Sequence, residues 1–208
     1  ATLAHHQGVI VGREELQNYV AGRPFPVLDT NDPDAGLKAM WNHRYRDQGD
    51  VVETRATMDL VNGSGVVERS QDFSISWVFG MHRPDTEKNV SQWERHRVFT
   101  KRTMLILAPS DIEGSQVLDT FWDNASIPLS EWAYDPKTRR TRKLAYNPYI
   151  SPDRGVMLIE DQNGFMGYIG AYDWKYLGKQ TVLAPGPIHT PESTYGGKGG
   201  WYFVDPWE

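Results

Sequence analysis

Two long segments in which apolar and polar residues alternate constrain the fold of this chain more than any other feature. In Val51–Asn62, almost every second position is apolar or threonine, and in Val66–Gly80 most apolar side chains share one parity. Successive side chains of a strand point to opposite faces, so both segments are typical of strands with one wet face. Because Asn62–Gly65 is a turn sequence, the pattern predicts an antiparallel hairpin between these two strands.

The segment before this hairpin has its apolar residues at the spacing of a helix. Apolar residues at helical spacing form one stripe, consisting of Leu37, Met40, Trp41 and Tyr45. Asp32 followed by Pro33 is typical of a helix N-cap and first helical position. The sequence therefore predicts a helix from Asp32 to about Gln48, with its stripe buried against the sheet. A shorter helix is predicted over Arg13–Ala21.

Further strands follow the hairpin. The dense apolar run in Val98–Ala108 predicts a strand that is buried on both faces. Val117–Phe121, Glu131–Tyr134 and Thr138–Leu144 are predicted to add three more strands, and Tyr172–Leu177 another. Helices followed by consecutive antiparallel strands indicate an α+β protein.

Length and charge exclude several classes of protein. The 208 residues fit one domain, and the net charge of -5 argues against a general nucleic-acid binder. The chain has no cysteine, so disulfides and thiolate chemistry are excluded. The run Met104–Pro109 is too short to span a bilayer. The aromatic run Trp201–Glu208 suggests that the natural chain continues beyond these residues.

No motif points to catalysis. The histidines form no metal-ligand pattern, and the phosphate-binding, dinucleotide-binding and serine-nucleophile motifs are missing. The acidic pairs Glu14-Glu15 and Glu160-Asp161 are typical of ordinary surface carboxylates. The sequence thus predicts no catalytic residue, no metal and no cofactor, and the protein is expected not to be an enzyme.

The aromatic content is high, with 8 Trp, 10 Tyr and 7 Phe. These side chains either fill a bulky core or line a cavity for an apolar ligand, and the sequence leaves both interpretations open. Large side chains of one parity in the second strand exceed what one short helix covers, so the surplus must meet another sheet face, a C-terminal segment outside this chain, or a ligand. With a ligand, the expectation is an elongated apolar cavity between sheet and helix. The predicted ligand-binding residues are Trp41, Phe73, Ile75, Trp77, Phe79, Phe99, Leu105, Trp122, Trp132 and Tyr134.

A basic cluster lies on the predicted hairpin after Asp135-Pro136. It contains Lys137, Arg139, Arg140, Arg142 and Lys143. One interpretation is a solvated edge whose charge prevents pairing with other strands. The other is a docking patch for anionic lipid headgroups or an acidic partner, formed by Arg139, Arg140, Arg142 and Lys143.

Three segments resemble known families. Ser130–Leu144 resembles a segment of LolA/LolB-like envelope proteins, which carry lipoproteins across the periplasm. Ala35–Asn42 and Tyr172–Lys179 look like the bacterial domain of unknown function family 1329, and the likeness covers about Gly22 to Pro185. The resemblance implies a strongly curved antiparallel sheet, an incomplete barrel with helices on its concave side, forming a single LolA/LolB-like domain over residues 1–208. This domain would be the N-terminal portion of a longer periplasmic protein.

Three functional hypotheses remain open. The first is a periplasmic binding or shuttle protein for lipid-like or other hydrophobic molecules, associated with outer-membrane transport and with peripheral membrane contact. The second is a structural adaptor in an envelope export complex with a resistance-nodulation-division type transporter. The third is an enzyme that acts on glycans or aromatic compounds and uses Trp side chains as stacking platforms.

Overall fold

The computed structural model describes residues 8–83, 85–145 and 158–181. The chain divides into two compact units, Ala1–Leu177 and Gly178–Glu208, and every named helix and strand belongs to the first. The aromatic run at Trp201–Glu208, for which we expected a continuing chain, lies outside the described residues. No helix among the described residues is long and apolar enough to cross a membrane.

The first unit contains a six-stranded antiparallel sheet whose strands lie in chain order. The strands are β1 (Val51–Val61), β2 (Val67–Phe79), β3 (Val98–Ala108), β4 (Gln116–Trp122), β5 (Ser130–Asp135) and β6 (Arg140–Leu144). The predicted α+β class is confirmed. In the described part of the chain β1 and β6 do not pair, so the sheet is open, and it is not strongly curled. The incomplete barrel was implied by the resemblance alone, and no residue pattern specified it.

The predicted hairpin is confirmed. β1 and β2 pair antiparallel along their length, so that Ala56 lies opposite Phe73. The turn forms because Asn62 Oδ1 accepts hydrogen bonds from the backbone N–H groups of Ser64 and Val66, each at 3.0 Å. Gly65 completes the turn with a φ of 80°, which is the left-handed region that glycine adopts readily.

The main helix is shorter than predicted. α1 spans Ala35–Arg44, because Asp32 accepts a hydrogen bond from the Asp34 N–H in a turn before the helix instead of capping it. Of the predicted apolar stripe, Trp41 and Tyr45 are buried, whereas Leu37 and Met40 are only half-buried. Only the C-terminal end of α1 reaches the sheet, where Arg44 donates to the carbonyl oxygen of Trp122. A second helix, α2 (Ser91–Arg95), precedes β3.

Three other predictions are wrong. Arg13–Ala21 is not helical: the chain makes an isolated antiparallel bridge between Ile10 and Gln17, and Asn18 takes a left-handed φ of 59°. Tyr172–Leu177 is irregular chain rather than a strand. Only the first three residues of β3 are buried, and most of the others are half-buried. The tertiary contacts of these segments, and not their local pattern, decide their structure.

The hydrophobic core lies at one end of the sheet, where β2 ends and β3 begins. Its buried members are Leu16, Phe25, Trp41, Tyr45, Phe79, Met81, Phe99, Ala125 and Ile169. The opposite end of the sheet, around Asn62–Gly65, is mostly exposed. The first unit therefore has a packed end, from which the sheet extends.

Candidate functional site

A cleft lies at the packed end, between the end of α1, strands β2 to β4, and the segment from Asn163 to Ile169. Its apolar lining consists of Trp77, Phe79, Phe99, Phe121, Phe165, Met166 and Ile169. Its polar lining includes His43, Arg44, Arg46 and Gln48. The cavity measures about 60 Å³, which is room for only a few water molecules. The cleft is therefore a small amphipathic site rather than a channel for a whole lipid.

The floor of the cleft is aromatic. Trp77 is stacked on Phe79 and Phe121, with ring centroids 6.2 Å and 5.4 Å apart. Phe79 meets Phe99 edge to face at 5.9 Å. These side chains converge because a register shift between Val98 and Thr100 turns Phe99 toward the core. Such aromatic contacts form a rigid apolar surface.

Arg102 lies over this floor. Its guanidinium is 5.1 Å from the centre of the Trp77 ring and 5.8 Å from that of Phe121. Its Nε donates to Asp119 Oδ2 at 2.7 Å, and Nη1 donates to Gln162 Oε1 at 3.0 Å. A cation between two aromatic faces is attracted to both rings. Arg102 thus joins the cleft floor to a buried carboxylate.

Asp119 and Glu131 form a carboxyl pair next to Arg102. They lie directly opposite each other on β4 and β5, and Asp119 is fully buried. Burial raises the pKa of both side chains, and the charge of Asp119 raises that of Glu131 further. With both groups ionised, Asp119 Oδ1 has no hydrogen-bond donor. A proton on Glu131 supplies that donor, so the pair is expected to share a proton.

The mouth of the cleft is cationic. Arg44 and Arg46 are half-buried, and His43 lies between them and Gly164. Burial lowers the pKa of His43, and the neighbouring Arg46 lowers it further. Burial also lowers the pKa of Arg46. The electrostatics of the mouth therefore favour an incoming anion.

A second polar cluster surrounds Asp123 in the core. Its Oδ1 accepts hydrogen bonds from Tyr45 at 2.7 Å and from His82 at 2.8 Å, and its Oδ2 lies 2.8 Å from Arg97. The rings of Tyr19 and Tyr45 pack on His82. All acceptors and donors have partners, so this cluster holds α1 to the sheet and serves a structural role.

The structure divides the predicted ligand-binding residues between two faces of the sheet. Phe73, Ile75, Trp77 and Phe79 share one face of β2, here called the cleft face. Leu105, Trp132 and Tyr134 project from the opposite face, because Leu105 pairs with Gln116, Gln116 with Tyr134 and Leu118 with Trp132. Trp122 lies at the end of β4, beyond a register shift, and borders a neighbouring depression with Phe121 and Met166. Trp41 lies in the core behind the cleft, stacked on Tyr45. In the described chain these residues do not line one cavity; only Trp77, Phe79 and Phe99 line the cleft.

An apolar strip continues the cleft along the sheet. Ile75 pairs with Met104, and Phe73 with Ile106, all on the cleft face. These four side chains are half-buried, so each keeps part of its surface accessible. From Phe79 to Phe73 the strip is about 20 Å long at the rise of a strand. The apolar surface therefore extends well beyond the small cavity.

The basic docking patch lies on the outer strand of the described sheet. All residues of β6 are exposed, and Arg139 precedes it with a left-handed φ of 54°. Arg140 and Arg142 pair with Asp135 and Ala133 on the cleft-face side, whereas Lys143 lies beside Trp132 on the opposite face. None of these cations forms an ion pair with a described carboxylate.

Sequence reasoning missed the charged residues of the site. Arg102 on β3 and Asp119 on β4 lie on the same face as the apolar residues of their strands. A charged residue within an apolar row was the signal that the sequence offered for the site. Arg44 and Arg46 followed an apolar helix stripe and looked like solvent-facing residues. Phe165 and Met166 lie in a segment for which no element was predicted, so only the tertiary structure brings them to the cleft.

An open antiparallel sheet with an amphipathic cleft at its packed end defines an α+β domain. The chain belongs to the family described as protein of unknown function (DUF1329), whose model matches residues 3–198. Among curated proteins, none matches significantly. In the described residues, no group of three or more His, Asp or Glu side chains could hold a metal ion.

Two solved structures are similar to the chain. A DUF1329 family protein from Desulfovibrio piger ATCC 29098 is 18% identical, with a TM-score of 0.54 over 73% of this chain and 57% of that one. A "putative outer membrane lipoprotein-sorting protein domain" from Vibrio parahaemolyticus is 17% identical, with a TM-score of 0.47 over 68% of this chain and 52% of that one. The chain thus spans little more than half the length of either structure.

Proposed function

We propose that the protein binds a lipid-like hydrophobic molecule on the cleft face of its sheet and acts as a carrier in the bacterial envelope. The observation that carries this proposal is the apolar strip that runs from the cleft past Ile75 and Met104 to Phe73 and Ile106. Removing an acyl chain from water is favourable by about 0.8 kcal/mol per methylene. A strip of about 20 Å exceeds the roughly 15 Å occupied by one leaflet of hydrocarbon, so a single acyl chain fits along it.

The proposal places the apolar tail outside the small cavity. The cleft of about 60 Å³ accommodates only the end of such a molecule, and the strip accommodates the rest. In the whole protein, the cleft face would act as the concave wall of a LolA/LolB-like incomplete barrel. A periplasmic location belongs to the same proposal, and the LolA/LolB-like segment Ser130–Leu144 supports it. The protein would bind and not transform its ligand, without a cofactor.

Two neighbouring residues of β2 provide a matched test. Ile75→Glu places a charge on the strip, whereas Ser76→Glu places the same charge on the opposite face. In a titration with a fluorescent long-chain lipid probe, wild type and Ser76→Glu should bind saturably, and Ile75→Glu should bind at least tenfold more weakly. Circular dichroism is needed first to establish that both variants are folded. Equal binding by the two variants, or no binding by wild type, would refute the carrier function.

A second candidate function is that of a structural adaptor in an envelope export complex. The observation that favours it is the set of exposed cations on the outer strand β6, which have no described carboxylate partner. Such a patch suits an acidic face of a resistance-nodulation-division type transporter or an anionic membrane surface. Co-purification of a transporter from envelope extracts, lost in an Arg140→Glu, Arg142→Glu double variant, would support the adaptor. Retention of the transporter by the double variant would argue against it.

A further inference from the structure

We infer that the cationic mouth formed by His43, Arg44 and Arg46 binds the anionic head of an amphiphile whose tail lies on the apolar strip. This inference rests on the proposed lipid-binding function and specifies the class of molecule that is bound. A carboxylate or phosphate head would enter beside Arg46, and the first carbons of its tail would contact the aromatic floor of the cleft.

No described carboxylate serves as the counter-ion of either arginine at the mouth. The half-buried arginines of the described chain are Arg44, Arg46, Arg69, Arg83 and Arg102. Three of them have a carboxylate within 4 Å, namely Asp111 for Arg69, Asp50 for Arg83 and Asp119 for Arg102. Arg44 and Arg46 have none among the described residues, although both line the cleft. Partly buried charges in proteins are usually paired, so these two are exceptional.

Nearby polar groups compensate only part of the positive charge of Arg44 and Arg46. Arg46 Nη1 donates to the carbonyl oxygen of His43 at 2.7 Å, and its Nη2 donates to the carbonyl oxygen of Asn163 and to Gln48 Oε1, both at 3.4 Å. Arg44 Nη2 donates to the carbonyl oxygen of Trp122, so every one of these acceptors is a neutral group. The C-terminal end of α1 adds about half a negative charge. Two guanidinium groups exceed this compensation, and Arg44 Nε is buried without an acceptor. An external anion would neutralise the remainder.

Basic and apolar side chains lie next to each other around the cavity. The three basic side chains and the rings of Trp77, Phe79 and Phe121 border the same cavity of about 60 Å³. A cavity of this size accommodates a head group and a few carbons. Because Trp77 lies on the same face of β2 as Ile75, the tail leaves the cavity directly onto the strip. Charged head and apolar tail therefore have adjacent binding surfaces.

The test uses three probes with the same twelve-carbon tail: laurate, dodecyl phosphate and dodecanol. Calorimetric titrations at neutral pH compare wild type with Arg46→Gln and with Arg55→Gln, which removes an exposed arginine of β1 as the control. Wild type and Arg55→Gln should bind the two anions at least tenfold more tightly than dodecanol. Arg46→Gln should lose this preference and bind dodecanol as wild type does. Acetate and inorganic phosphate should bind weakly, since they lack the tail.

The outcomes separate the two proposals. If dodecanol binds as tightly as laurate in wild type, the anionic head site is refuted and the carrier function stands. If none of the tailed probes binds, both are refuted. If acetate or inorganic phosphate binds as tightly as the tailed anions, the mouth is a site for small anions, and the inference that it binds an amphiphile is refuted.

A second readout is the titration of His43. A bound anion stabilises the charged imidazole, so saturation with laurate should raise the pKa of His43, measured from its Cε1–H resonance. Saturation with dodecanol should leave that pKa unchanged or lower it. An unchanged pKa of His43 in the presence of saturating laurate would overturn the inference.

Discussion

His82 and Asp123 form a buried ion pair in which Nε2 lies 2.8 Å from Oδ1. The other ring nitrogen, Nδ1, lies 2.7 Å from the carbonyl oxygen of Val20. Both nitrogens therefore face acceptors, and each must carry a hydrogen for both contacts to be hydrogen bonds. Since Tyr45 also donates to Asp123, the carboxylate connects α1, the segment after β2 and the end of β4.

This cluster predicts a loss of stability in acid. Burial would raise the pKa of Asp123, but the hydrogen bonds from His82 and Tyr45 and the charges of His82 and Arg97 together outweigh burial and lower the pKa to about 2. An acid with a lowered pKa stabilises the folded state above its unfolded pKa of about 4, and this stabilisation disappears as pH falls toward 2. The contribution is about 2 kcal/mol. Urea unfolding of wild type and Asp123→Asn should differ by at least this much at pH 6 and converge near pH 2. A constant difference across that range would contradict the prediction.

Trp41 is predicted to be the most costly core side chain to truncate. It has no exposed surface, stacks on Tyr45 at 5.6 Å and donates from Nε1 to the carbonyl oxygen of Gly12 at 2.8 Å. Trp41→Ala should lower the free energy of unfolding by about 3–5 kcal/mol, measured by urea denaturation. Trp132→Ala is the control, because Trp132 is 42% exposed, and it should cost clearly less. Similar losses in the two variants would show that Trp41 is not packed as described.

Gly36 is predicted to be required where α1 meets the chain around Trp174. A Cβ at this position would overlap the backbone carbonyl oxygen of Trp174, whereas a Cβ on Gly63 would meet nothing within 4 Å. Gly36→Ala should therefore lower the free energy of unfolding by about 1–3 kcal/mol, although alanine favours helices. Gly63→Ala should have little effect. A Gly36→Ala protein as stable as wild type in thermal unfolding would contradict this close approach.

Glu131 is predicted to destabilise the folded protein near neutral pH. Its raised pKa means that the folded state binds more protons than the unfolded state, so stability falls as pH rises above about 4. In Glu131→Gln, the amide can donate to Asp119 Oδ1 without a proton from solution. The variant should be more stable than wild type at pH 7, with a smaller gain at pH 4. Denaturant unfolding at the two pH values measures this, and a less stable variant at pH 7 would disprove the shared proton.

Regular alternation made the sheet predictable. The β1–β2 hairpin and the bounds of β3 follow from residue parity and turn residues, because side chains of a strand alternate whatever packs on them. The same local evidence failed at Arg13–Ala21, where a helical composition adopts an irregular path held by contacts with distant residues. Local propensity is a weak guide where tertiary contacts decide the path of a segment.

The site was harder to predict than the sheet. The alternation of residues in β3 assigns its side chains to two faces, but it does not show which face is shared with Phe73 and Ile75 of β2. The observed register places Met104 and Ile106 on that shared face and Leu105 on the opposite one. The polar residues at and around the cleft are far apart in sequence, from Arg46 to Asp119 and Gln162. Strand pairing brings Arg102 to Asp119, and tertiary packing brings the segments of Arg46 and Gln162 to them, so no short motif records the site.

The last prediction concerns the basic hairpin. Arg140 and Arg142 are exposed on β6, and Trp132 on β5 is 42% exposed beside Lys143. Exposed cations on both faces of an outer strand, one of them beside an exposed Trp, are typical of a surface that contacts anionic lipid, where each basic residue contributes about 1 kcal/mol. Replacing both Arg140 and Arg142 by Gln should weaken binding to phosphatidylglycerol-containing vesicles by roughly thirty-fold.

Co-sedimentation with such vesicles measures this, with pure phosphatidylcholine vesicles and an Arg23→Gln, Arg55→Gln protein as controls. Binding of wild type should weaken as salt is raised, because screening acts on exposed charges. Equal binding to neutral and anionic vesicles would exclude the patch as a membrane contact. Absence of binding to both, together with salt-sensitive binding to an acidic envelope protein, would assign the hairpin to a protein partner instead.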